Sequence, residues 1–170
     1  MVTIIRGIPG SGKSFLAQRD YPGSLLLEGD QYYMTPEGKY EFGKGLLRSS
    51  SEYVRAMLAT ALSLEIKNVV ITTTSPDGKR AKEYADIAKG FGHKVKFIWI
   101  DYKGLCSKQL HAVPEDVIQN MQKNWKPIRG ETLIVRQHDP TIFDRDNMTY
   151  SVVKHYPQWY KDLHSKKGEH

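Results

Sequence analysis

Cysteine is almost missing from this chain: Cys106 is the single thiol in 170 residues. One thiol cannot build an internal disulfide framework, which excludes the cystine-stapled secreted class and suits a reducing compartment. Beside Leu105 it reads as a packing filler or as a reactive thiol. Long apolar runs are missing as well. Nothing approaches the ~18 consecutive apolar residues that a bilayer crossing needs, so no membrane association is expected. No repeat, low-complexity segment or composition break divides the sequence, and its length suits one domain, 1–170. Because the apolar strand pattern starts at Val2, no signal peptide is expected, and a cytoplasmic protein is. Acidic residues are in deficit, 19 against 25 Lys and Arg, for a net charge of +6. That balance favours a polyanionic partner such as nucleic acid, or the phosphates of a nucleotide.

Glycine, by contrast, is concentrated where it carries chemistry. Gly7-Ile8-Pro9-Gly10-Ser11-Gly12-Lys13-Ser14 follows the apolar run Val2–Ile5 and precedes the helix-like Phe15-Leu16-Ala17-Gln18. Every required position of the G-x-x-x-x-G-K-[S/T] loop is filled. Such a loop curls consecutive N–H groups toward phosphate oxygens, and the following helix adds its positive amino end. Pro9, Gly10, Ser11, Gly12, Lys13, Ser14 and Phe15 are therefore expected to bind ATP. Lys13 would reach the β- and γ-phosphates, and the Ser14 hydroxyl would ligate Mg²⁺.

Strand-like and helix-like segments alternate along the chain. Strands are expected at 2–6, 24–28, 68–72, 94–100 and 132–136, and helices at 14–19, 51–65, 76–90 and 114–124. This alternation predicts an α/β fold: a parallel sheet of about five strands with helices on both faces. The carboxyl ends of its strands would line one crevice. Strand one ends at the loop, strand two at Asp30, strand three at Thr73-Thr74-Ser75 and strand four at Asp101. The polar stretch 31–50 is too long for a plain connector, which points to a functional role. Asp30 is placed either to accept the proton of an incoming hydroxyl or to cap a turn. For the adenine, Trp125 and Arg129 are the nearest candidates. Residues 130–170 form an extension in which Tyr156, Trp159 and Tyr160 suggest a docked helix or a stacking surface.

The Gly-x-Pro-Gly-Ser-Gly-Lys-Ser loop with Asp30-x-Tyr32 on strand two resembles the kinase domain of phage-type polynucleotide kinases. So do Val69–Thr74 with Pro76 behind it, Gly92-His93-Lys94-Val95, and Ala112-Val113-Pro114-Glu115-Asp116-Val117-Ile118-Gln119-Asn120-Met121. The likeness spans roughly residues 1–126 and implies the P-loop NTPase kinase fold. It implies ATP- and Mg²⁺-dependent transfer of the γ-phosphate to the 5′-hydroxyl of a DNA or RNA end. Lys13 would stabilise the transferring phosphoryl group and Asp30 would be the general base. A lid near 103–113 would bring cations.

Three positions depart from that pattern. The lid arginine is replaced within Ser107-Lys108-Gln109-Leu110-His111, leaving Lys108 or, more weakly, His111 as catalytic stand-ins without the guanidinium fork. The acid at the end of strand three is missing, leaving Thr73 and Thr74 on the acceptor side. The arginine expected after Asp30 is Tyr33, which would stack on a base or simply pack. Arg48 would meet a nucleic-acid backbone or stand in solvent. Ile142–Thr149 faintly echoes an Asp-x-Asp phosphatase motif, but too few residues follow it for such a domain, so it reads as a loop. A kinase for a small acceptor (nucleoside, nucleotide or modified DNA base) and a nucleotide-dependent binding module remain the alternatives.

Overall fold

The computed structural model describes residues 1–102, 113–136 and 150–152. Its sheet is built from β1 (Val2–Gly7), β2 (Leu25–Glu28), β3 (Val69–Thr73), β4 (Val95–Asp101), β5 (Thr132–Arg136) and β6 (Tyr150–Val152), in the order β2-β3-β1-β4-β5-β6. The first five strands run parallel, as the alternation predicts. The sixth pairs antiparallel on the β5 edge, Val135 opposite Ser151. It lies in the stretch where a helix or stacking surface was expected, and three residues are too few for a periodicity to register.

Both sheet faces are apolar, which is why the strands read as continuous β-branched runs. Val2, Ile4, Leu27, Val69 and Ile71 meet α2 (Leu47–Ser63) and α3 (Lys79–Gly90) on one face. Ile5, Val70, Ile98, Ile100 and Ile134 pack with Leu16 and Ala17 of α1 (Lys13–Asp20) on the other. Ile118 of α4 (Glu115–Lys123) joins Ile8 and Tyr102 beneath the glycine loop. Among the described residues no helix is long and apolar enough to cross a membrane.

Helix α2 begins at Leu47, ahead of the expected Ser51. Ser50 and Ser51 lie inside it: the Ser50 hydroxyl bonds back to the Leu47 carbonyl at 3.0 Å, and both residues are buried. A serine that satisfies itself on the preceding turn no longer marks the helix start.

One polar group inside the fold is fully paired. Arg6 on β1 is inaccessible to solvent and donates from Nη1 to both oxygens of Glu131, at 3.0 and 2.7 Å. Its remaining nitrogens reach the carbonyls of Ser75, Pro76 and Lys126. Trp125 covers the guanidinium at 4.9 Å and stacks on Trp99 with a centroid separation of 5.7 Å. Burial pushes the Glu131 carboxyl above its ordinary range, and Arg6 opposes that shift. The network fastens the β3–α3 turn and the loop entering β5 to the central strand.

Candidate active site

The glycine loop leaves β1 at Gly7 and delivers the chain to α1. Gly10 and Gly12 take positive φ, 76° and 89°, a region that L side chains disfavour. At Gly7 the constraint is space: a Cβ would collide with the Ser11 side chain and lie 3.3 Å from the Ile100 carbonyl. Ser11 is fully buried, with no partner for its hydroxyl among the described residues. No acidic residue stands in the first turn of α1, so the positive helix end keeps its pull on an anion. Pro9, Gly10, Gly12, Ser14 and Phe15 all remain half-buried at the rim.

Lys13 opens α1 and turns its ammonium back into the loop, donating to the Ile8 carbonyl at 2.9 Å. Burial pulls its pKa from 10.5 down to about 8, against the opposing charges of Asp30 and Glu28. Both carboxylates are near enough for their charge to act on Lys13. The Ser14 hydroxyl donates to Glu28 Oε1 at 2.5 Å, and the Thr72 hydroxyl donates to the same oxygen at 2.7 Å. Glu28 was not singled out from the sequence. The available signal was a carboxylate closing the apolar run Leu25–Leu27 at a strand's carboxyl end.

Asp30 lies in the 3₁₀ turn Gly29–Tyr33 that follows β2. The turn is closed by Gln31, which accepts from the Glu28 N–H at 3.2 Å and donates to the Leu26 carbonyl at 3.0 Å. Asp30 instead accepts from the Tyr40 hydroxyl at 3.2 Å. Burial and the Asp30 charge raise the Tyr40 phenol well above its usual range, so it stays a donor.

Tyr33 is buried, only 5 % exposed, and meets Tyr32, Tyr40 and Phe42 edge to face. Of the two readings of this residue, the packing one describes its place: a ring enclosed by three others cannot offer a face to a base. Tyr32, at 40 % exposure, is the accessible ring. It leans on Tyr53 and helps to line an open groove of about 430 Å³ with Arg48, Ser49, Glu52 and Ala56. Arg48 itself is exposed. Thr73 is buried at the end of β3 and Thr74 half-buried just beyond it.

Two adenine-site expectations are displaced. Trp125 is held in the Arg6 stack, and Arg129 is exposed on the loop leading into the amino end of β5. The glycine loop faces the carboxyl ends. Among the described residues a second cation reaches it besides Lys13: Arg136, the last residue of β5, whose Nη1 donates to the Gly10 carbonyl at 2.6 Å and whose guanidinium lies 4.4 Å over the Tyr102 ring. Lys108, His111 and Cys106 lie outside the described residues, as do Ile142–Thr149 and the aromatics Tyr156, Trp159 and Tyr160.

No protein-family profile matches the chain. It is 27 % identical to human NEDD4-binding protein 2 over 99 % of its own length, and spans 10 % of that protein. It is 21 % identical to mouse 2′,3′-cyclic-nucleotide 3′-phosphodiesterase over 94 % of its own length and 40 % of that protein. Among solved structures, a gluconokinase from Sinorhizobium meliloti aligns with a TM-score of 0.51 at 18 % identity, covering 79 % of this chain and 81 % of the other. A structure of the PezAT toxin–antitoxin system of Streptococcus pneumoniae aligns with a TM-score of 0.56 at 18 % identity, covering 98 % and 82 %. With its five parallel strands, flanking helices and glycine loop between β1 and α1, the chain has the P-loop kinase fold.

Proposed function

We propose that this chain is an ATP- and Mg²⁺-dependent phosphotransferase whose acceptor is the 5′-hydroxyl of a nucleic-acid end. The observation that carries the reading is the meeting of Lys13, Ser14 and Asp30 at the carboxyl ends of β1 and β2, with Asp30 close enough for its charge to act on Lys13. A P-loop alone binds nucleotide; a carboxylate facing the loop lysine adds a proton acceptor where a hydroxyl would approach. In the proposed step the acceptor oxygen attacks the γ-phosphorus and its proton passes to Asp30. The bond to the β–γ bridging oxygen breaks, and ADP leaves with the electron pair. Lys13 and the loop N–H groups hold the charge that develops on the phosphoryl oxygens.

The oxygen donors here fit a hard divalent cation: the Ser14 hydroxyl beside the Glu28 carboxylate. Mg²⁺ bound there would neutralise phosphate charge. Lys108 and His111 of the lid, and Thr73, Thr74 and Arg48 on the acceptor side, complete the proposed set.

The nucleic-acid acceptor draws on the +6 charge, on the groove that sets Arg48 beside the Tyr32 and Tyr53 rings, and on the cyclic-nucleotide chemistry in one relative's name. A small acceptor is the second reading. The sequence after Asp30 favours it, since Tyr33 stands where a gripping arginine is expected and its ring is buried. Anisotropy of a single-stranded 5′-hydroxyl oligonucleotide across a salt series separates the two. The proposal expects affinity to fall steeply with salt, and Arg48→Ala to reduce the log–log slope by about 1. Absence of binding, or binding indifferent to salt, would transfer the reading to a small acceptor.

A further inference from the structure

We propose that Glu28 is the metal-side carboxylate of this site, taking from β2 the position that β3 leaves without an acid. The inference rests on the phosphotransferase reading. In P-loop enzymes the cation on the β- and γ-phosphates is held by the loop Ser or Thr together with an acid on a neighbouring strand. Here β3 ends in Thr72 and Thr73, with Thr74 just beyond it. In the sheet register Thr72 lies between Ile5 of β1 and Glu28 of β2. Glu28 is thus one strand further from the loop than a β3 acid would be, and its side chain is longer than that of Asp. That reach brings Oε1 to the Ser14 hydroxyl.

The hydrogen bonds run in the direction the role requires. Ser14 donates its only proton to Glu28, so both lone pairs of its oxygen remain for a cation. Thr72 donates to the same carboxylate oxygen and fixes its orientation. Glu28 is therefore a positioning residue: it turns the Ser14 oxygen outward and adds negative charge beside the cation. Carboxylates that orient a metal ligand in this way typically contribute ~10–100-fold in metal affinity.

The test is calorimetric binding of a non-hydrolysable ATP analogue over a series of Mg²⁺ concentrations, for the native protein and for Glu28→Gln. The glutamine keeps a carbonyl to accept the Ser14 proton and loses the charge. We expect the Mg²⁺ midpoint to rise about 10-fold or more. Without metal, the variant should bind the analogue equally well or more tightly, because a charge that repels the phosphates is gone. A midpoint unchanged within about twofold, the scale of ordinary context dependence, would overturn the proposal. Should Glu28→Gln fail to fold, the native protein labelled with ¹³C at its glutamate carboxyls carries the test. Mn²⁺ with the analogue should broaden the Glu28 resonance selectively, and an unbroadened resonance overturns the assignment. Failure of the phosphotransferase reading looks different: the native protein would transfer no γ-phosphate to any acceptor, while its Mg²⁺-dependent binding of the analogue and the effect of Glu28→Gln on that binding stayed as expected.

Discussion

Replacing Lys13 by methionine should stabilise the ligand-free protein while abolishing transfer. In the folded chain the ammonium is held with a pKa of about 8 against an ordinary 10.5. Burial is the cause, and Asp30 and Glu28 offset only part of it. A shift of that size corresponds to ~3 kcal/mol of penalty on the charged form. The side chain is half-buried, so water screens some of this, and ~1–2 kcal/mol is the figure to expect. Since the folded-state pKa is lowered, the unfolded chain holds the extra proton between about pH 8 and pH 10.5. Stability from this group therefore rises with pH across that window, and the full penalty is present below it. In urea melts near pH 7, Lys13→Met should be the more stable protein, and its advantage should shrink as pH rises toward 10.5. Adding ATP and Mg²⁺ should reverse the order, because phosphates complete the counter-charge that Asp30 and Glu28 supply only in part and ligand binding stabilises only the binder. A Lys13→Met protein less stable near pH 7 would refute the argument. It would mean that the Ile8 carbonyl contact outweighs desolvation.

Tyr40→Phe removes the hydroxyl that donates to Asp30. Losing the bond that orients the base should slow transfer by about 10-fold, and an unchanged rate would separate Tyr40 from Asp30. Arg6→Met takes the ion-pair partner from the buried Glu131 and strips three carbonyls of their donor. A loss of ~3–5 kcal/mol in chemical denaturation is expected, and a loss below ~1 kcal/mol would show that the network does not fasten the loop into β5. Asp30→Asn should slow transfer by ~10²–10⁴-fold while ATP affinity, read by calorimetry, stays near native; equal losses in both would make Asp30 a binding residue only.

The order of strands and helices was legible because each element repeats its own period. The β-branched run at Val69–Thr73 reads as a buried strand from any starting point, and the apolar positions of α2 recur along a helix face. The loop at Gly7–Ser14 was legible for another reason: its backbone geometry admits few residue types. What stayed hidden depends on neighbours distant in sequence. Glu28 matters because Thr72, 44 positions later, and Ser14, 14 positions earlier, close on the same oxygen. Arg136 matters because β5 ends beside Gly10, 126 positions away. Tyr33 and Trp125 carry polar, stacking-capable rings that could have faced a ligand. Only the packing of Tyr40 and Phe42 around one, and of Arg6 and Trp99 around the other, turns them inward.

The central claim is a P-loop and a facing carboxylate used together on a nucleic-acid end. Transfer of labelled γ-phosphate from ATP, with Mg²⁺, to a 5′-hydroxyl oligonucleotide tests it most directly, run beside Asp30→Asn and beside a panel of nucleosides and nucleotides. Label on the oligonucleotide that is lost in Asp30→Asn is the result expected. Label confined to a small acceptor, or transfer undiminished in Asp30→Asn, would contradict the account.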